Sequence, residues 1–171
     1  MQGAWICRAS RHLPGHVWVG GVEGGRGPFF LALDHPGVME EIALDRIDPP
    51  NTELARFLLA DADALHAALA RAWDLSKALP DHMLRRFEQE TTGLPRATEA
   101  ERLVVQRVGQ EIFRESLMAY WGARCPLTGI TDTALLRASH IKPWRDCATD
   151  AERLDPFNGL LLSALWDAAF D

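Results

Sequence analysis

His140 is followed eighteen residues later by Asn158, nine after that by Asp167, and four further on by Asp171. On a helix, Asp167 and Asp171 at i and i+4 stack on one face with Cβ atoms roughly 5–6 Å apart. Two carboxylates that close repel each other unless a cation lies between them. A hard divalent ion such as Mg²⁺ accepts that arrangement and usually keeps several waters. A nearby imidazole, with an ordinary pKa of about 6.5, can take a proton from such a water at neutral pH. The side-chain carbonyl of Asn158 suits the other ring N–H and would fix the tautomer. Base, orienter and metal ligands together are the parts of metal-assisted phosphodiester hydrolysis.

Each residue by itself has a plainer reading. A lone histidine is more often structural, an Asn-Gly after Pro-Phe is commonly a turn, and paired aspartates near a terminus usually form a solvated face. Order and spacing carry the specificity. Ser139 is a poor nucleophile candidate. It lacks a GxSxG elbow, and on a strand its side chain points opposite to that of His140.

The elements that must position these groups can be read from pattern. "TALLRASHI" ends as a strand presenting Ser139 and His140, and "KPWRDCATDAERLDPF" reads as a loop in which Pro143 and Pro156 forbid regular structure. "NGLLLSALWDAAFD" reads as a short strand turning into a helix, with Gly159 at a tight bend. "RCPLTG" is a turn or knuckle. Upstream, Thr98 and Glu101 form a capping box at the head of a long helix that ends at Gly122. Arg107, Gln110 and Arg114 share one stripe of that helix, suited to phosphates or base edges or else simply to solvent, opposite Leu103, Val104, Val108 and Ile112.

Residues 91–97, "TTGLPRA", read as a linker, which divides the chain into a mixed α/β module at 1–95 and a second domain at 96–171. In the first module, residues 16–34 predict two β-segments around a turn at Gly24, Gly25 and Gly27. From Thr52, apolar residues at Leu54, Phe57, Leu58, Leu65, Leu69 and Trp73 predict a helix that Pro80 ends, with a shorter helix around "HMLRRFEQE" after it. The module carries no chemical signature. The fold class is therefore α+β.

The chain has 171 residues, 47% of them apolar and 25% charged, enough for a real core. No apolar run reaches the roughly 18–20 residues that cross a bilayer, and the first fifteen residues lack the apolar stretch of a secretory signal. Cys7, Cys125 and Cys147 form no CxxC pair, which speaks against a disulfide framework and makes structural zinc unexpected. A reducing cytoplasm is the expected setting. Net charge is −6, yet residues 96–147 carry eight basic and six acidic side chains, the one stretch with a basic excess. Phosphate binding on two excess positive charges would be weak at physiological salt. Any such binding is therefore expected to draw on the N-terminal module, a homodimer or a further C-terminal part.

The stretches "ERLVVQRVGQEIFRESLMAYWGARCPLTGI", "LLRASHIKPWRDC" and "ERLDPFNGLLLSALWDAAFD" resemble the HNH endonuclease family, its restriction-associated branch in particular, over residues 98–171. The resemblance implies a C-terminal ββα-metal motif behind the long helix. It implies His140 as general base, Asn158 as its orienter and Asp167 as a metal ligand. Asp171 lies where it would join the metal, and Ser139 occupies a position where relatives carry an acidic or histidine ligand. The implied activity is Mg²⁺- or Mn²⁺-dependent DNA hydrolysis in restriction or defence, with Arg107, Gln110, Arg114 and Lys142 anchoring the DNA backbone. Relatives continue past "FD" with a glycine and further strands, so the resemblance also implies a C-terminal truncation or a fragment. The competing expectation is a catalytically inactive DNA-binding or regulatory module that retains the frame, which the change at Ser139 favours.

Overall fold

The computed structural model describes residues 5–9, 15–21, 27–47 and 54–170. These form helices and two small antiparallel sheets, and the chain divides into two compact units, Met1–Ser76 and Lys77–Asp171.

The first unit is built on a meander of four antiparallel strands, β1 (Trp5–Ala9), β2 (His16–Gly21), β3 (Phe29–Leu33) and β4 (Ala55–Leu59), in that spatial order. A short helix, α1 (Pro36–Glu41), lies between β3 and β4 in sequence, with Pro36 in its first turn. Leu31 pairs with Phe57 and Leu33 with Ala55, so these four share one face of the sheet, where all are buried. The two β-segments expected at 16–34 are present and pair with one another. Gly24 and Gly25 of the expected turn lie outside the described residues. The helix expected from Thr52 is corrected in its first part. Residues 55–59 form β4, and only from Ala62 does α2 (Ala62–Ala78) begin. Ala55, Phe57 and Leu59 are buried while Arg56 and Leu58 are exposed, a period of two that also satisfies an i, i+3 count over so short a run.

The second unit holds α3 (Pro80–Thr91), α4 (Glu99–Tyr120), β5 (Leu136–His140), α5 (Asp150–Leu154), β6 (Gly159–Ser163) and α6 (Ala164–Phe170). It begins at Lys77, so residues 77–95 belong with it, although the sequence reading put them in the first module. The physical reason is α3, whose Met83 and Phe87 are buried in the same core as Ile112, Phe113 and Leu117 of α4 and Leu161 of β6. The 91–97 linker therefore joins two helices of one unit. Among the described residues, no helix is long and apolar enough to cross a membrane.

Helix α4 is the base on which the rest of this unit rests. Thr98 accepts from the Glu101 N–H at 3.2 Å, and the Glu101 carboxylate accepts from the N–H groups of Thr98 and Ala97 at 2.8 and 2.9 Å. That is the expected capping box. After Tyr120 the chain leaves the helix through Gly122, whose φ of +61° is a left-handed value that glycine adopts without strain. The buried stripe is Val105, Gly109, Ile112, Phe113, Ser116 and Leu117. Leu103 and Val104, expected to face the core, are about half exposed, so the apolar stripe is turned relative to the sequence reading.

Candidate active site

Strands β5 and β6 pair antiparallel, with His140 opposite Gly159 and Ser139 opposite Leu160. Against this pair lies α4. A Cβ built on Gly159 would sit 2.4 Å from Phe113 Cζ and 2.9 Å from Leu117 Cδ1. Only a residue without a side chain lets β6 approach the helix this closely. Phe113 reaches beneath the strands and stacks on the His140 ring, with centroids 3.8 Å apart and planes 16° from parallel. Trp144, in a 3₁₀ turn at Trp144–Asp146, meets the imidazole edge-on at 5.6 Å and 88°. It packs over Gly109, where a Cβ would lie 2.5 Å from its Cη2. Trp144 is thus a wall of the core.

The imidazole is oriented by a main-chain group. His140 Nε2 lies 2.8 Å from the Arg153 carbonyl oxygen. A carbonyl only accepts, so Nε2 carries the proton and Nδ1 keeps its lone pair. Burial pushes the His140 pKa below its ordinary value, and the Arg153 carbonyl, which pulls the other way, does not cancel this. The ring is therefore a neutral proton acceptor at neutral pH.

Asn158 does not touch that ring. Its side-chain carbonyl accepts from the Lys142 N–H at 2.8 Å, and its amide donates to the carbonyls of Lys142 and Glu152, both at 3.3 Å. The Ile141 N–H donates to the Asn158 carbonyl at 3.0 Å. Asn158 thus pins the chain just past His140 and orients the histidine indirectly. Direct contact, the role the sequence reading gave it, falls to Arg153.

Ser139 is buried and its hydroxyl donates to the Asp167 carboxylate in a short hydrogen bond that ties β5 to α6. Alternation along β5 sends Ser139 towards α6 and His140 towards α4. Asp171 lies outside the described residues. Among the described residues, no three His, Cys, Asp or Glu side chains gather into a group that could hold a metal ion. What the structure does bring together is a hydroxyl and a carboxylate. Both are hard oxygen donors, and their chemistry fits a Mg²⁺-like ion that relies on few protein ligands and several waters.

The expected DNA-contacting residues separate into two groups. Arg107 and Gln110 are exposed on α4. Arg114 is instead a strut, donating to the carbonyls of Leu136 and Thr133 at 2.7 and 2.8 Å and so fixing the start of β5. Lys142 forms an ion pair with Glu152, which holds the lysine above and the glutamate below their usual pKa ranges. Both are at the surface, where such a pair contributes little to stability.

The loop expected between Pro143 and Pro156 is also corrected. Thr149 caps α5 by accepting from the Glu152 N–H at 3.1 Å, and Asp155 caps the 3₁₀ turn Pro156–Asn158 by accepting from Phe157 N–H at 2.9 Å. The T-x-x-E spelling at 149–152 signals that helix in the sequence, as it does at 98–101. Phe113 and the Arg153 carbonyl are the site groups that sequence reasoning missed. Cys125 and Cys147 are free and buried. Burial raises the Cys125 thiol, but hydrogen bonds from the Thr128 side chain and from the backbone of Thr128, Ser163 and Leu127 outweigh it and leave its pKa at about 7.

Residues 125–171 match the model of a family described as HNH endonuclease. No curated protein and no solved structure matches the chain.

Proposed function

We propose that the chain is a divalent-metal-dependent DNA endonuclease in which His140 is the general base, a reading supported by the match of residues 125–171 to a family described as HNH endonuclease. HNH nucleases generally use divalent metals, and Mg²⁺ or Mn²⁺ is the ion this donor set suits. The single observation that carries the reading is the hydrogen bond from His140 Nε2 to the Arg153 carbonyl. It leaves Nδ1 unprotonated on a ring whose pKa burial has lowered.

In this mechanism Nδ1 takes the proton from a water as that water attacks the scissile phosphorus in line. Phe113 and Trp144 hold the ring in place, so no reorientation is needed at the moment of transfer. Asp167 and Ser139 would hold the ion, joined by Asp171. When bound, the ion would neutralise charge developing on the phosphate and on the departing oxygen. Arg107 and Gln110 would contact the backbone from α4, with further affinity from the N-terminal module or a second copy of the chain. The biological setting that suits this activity is cytoplasmic restriction or defence.

A plasmid-nicking assay tests it. Wild type should nick DNA with Mg²⁺ or Mn²⁺ and not with EDTA, and His140→Ala should lose about 10²–10⁴-fold, the range a positioned general base contributes. The neutral hydroxyl of Ser139, in place of an ionic ligand, favours the second reading, a DNA-binding module without activity. A folded protein that binds DNA but nicks it with neither ion would establish that reading instead.

A further inference from the structure

We propose that Arg153 is a positioning residue, whose guanidinium fixes the tautomer of His140 by bolting the loop after β5 to the helix that supplies the imidazole's acceptor. The proposal rests on the reading of His140 as proton acceptor.

Arg153 acts at both ends. Its carbonyl takes the His140 Nε2–H at 2.8 Å. Its side chain turns back to the loop: Nε donates to the Trp144 carbonyl at 3.2 Å, Nη2 to the Cys147 carbonyl, and Nη1 to Asp150 at 3.0 Å. The guanidinium carbon also lies 5.9 Å from the centre of the Trp144 ring. Trp144 and the Arg153 carbonyl are two of the groups that bound the imidazole, and they belong to separate segments, the 3₁₀ turn and α5. One planar, five-donor group spans both. Without it, the loop carbonyls lose their donors, and α5 is held against the loop by Asn158, by the surface pair of Lys142 with Glu152, and by the Ala148 N–H donating to the same glutamate. The acceptor facing Nε2 would then shift relative to the Trp144 wall, and the proton would distribute over both ring nitrogens.

A lysine cannot replace this group. Its three donors radiate from one nitrogen, whereas the arginine fork meets its three acceptors from three separate nitrogens in a fixed plane. The side chain of Arg153 is 23% exposed, so its bonds are shielded from water in a way that the Lys142 pair is not.

Nitrogen-15 spectra of the full chain, without DNA or metal and under mildly alkaline conditions, provide the test. Wild-type His140 is expected to show one neutral tautomer, with the proton on Nε2. Arg153→Lys is expected to introduce the second tautomer while thermal unfolding stays cooperative, and Arg153→Ala to introduce more of it. Asp150→Asn, which takes the charge from only one of the three side-chain bonds, is expected to keep the wild-type tautomer. A folded Arg153→Lys protein with the single Nε2–H tautomer overturns the proposal, and so does a mixture in Asp150→Asn. Should the alanine variant fail to fold, the lysine variant still decides. In cleavage assays Arg153→Lys should lower kcat about tenfold with KM for DNA unchanged. A raised KM at constant kcat would make Arg153 a DNA contact and overturn the assignment. If the wild type does not cleave at all, the nuclease reading fails, while the tautomer comparison still supports or overturns the role of Arg153.

Discussion

The ring of Phe113 lies flat against the ring of His140, 3.8 Å away, and the same Phe113 fills the space left by the missing side chain of Gly159. The two strands and α4 therefore meet at one aromatic side chain. Gly159→Ala would push that ring aside and take the imidazole's support with it. We expect a destabilisation of about 1–3 kcal/mol, as for overpacking, together with reduced nicking. Urea unfolding and the plasmid assay, run on the same preparation, measure both. An alanine variant with unchanged midpoint and activity would show that Phe113 yields without disturbing His140.

Arg114 is expected to behave as a structural residue. Arg114→Ala leaves the Leu136 and Thr133 carbonyls without their donor and should cost about 1–3 kcal/mol in stability, with no change in the salt dependence of DNA binding. Arg107→Ala should do the reverse, keeping stability and reducing the log–log salt slope by about 0.9. Filter binding across a salt series, beside thermal melts, separates the two.

The pH dependence follows from the lowered pKa of His140. Catalysis needs the neutral ring, so the acid limb of the rate profile should lie below the ordinary histidine value of about 6.5. The unfolded chain binds this proton more readily than the folded one. The histidine's contribution to stability is thus intact above the unfolded value and is lost as pH falls through it towards the folded value. An acid limb above 6.5 would mean that another group is titrating.

Asp167→Asn should weaken Mn²⁺ uptake in calorimetry and lower nicking on the order of 10–100-fold at limiting metal. Ser139→Ala should have a smaller effect, since it removes a neutral ligand and a partner of the same carboxylate. Equal metal binding by wild type and Asp167→Asn would place the ion elsewhere.

Much of this was legible in the sequence because local chemistry dictates it. Thr98 and Glu101 announce the start of α4, and Gly122 its end. The runs at 136–140 and 159–163 are strands, with His140 and Asn158 close together at one end of the pair. Misreadings arose where two periods fit the same few residues, as at Phe57 and Leu58, and where two prolines outweighed the capping signal at Thr149. The acceptor for His140 had no signature at all, because a backbone carbonyl is present in every residue and only the fold selects the one at Arg153. The two carbonyls that Arg114 meets had no signature either. A charged side chain on a helix looks the same whether it meets a phosphate or two peptide oxygens.

Because Ser139 and His140 are neighbours on β5, the strand works as a partition, with the hydroxyl and the Asp167 carboxylate on one side and the imidazole on the other. A frame error of one position in the pairing of 136–140 with 159–163 would exchange the two compartments, moving the imidazole to the side of α6 and the hydroxyl to that of Phe113. The intervening 141–158 connection is under no such constraint on parity. Related chains should therefore vary in length between the strands while keeping the count within them fixed.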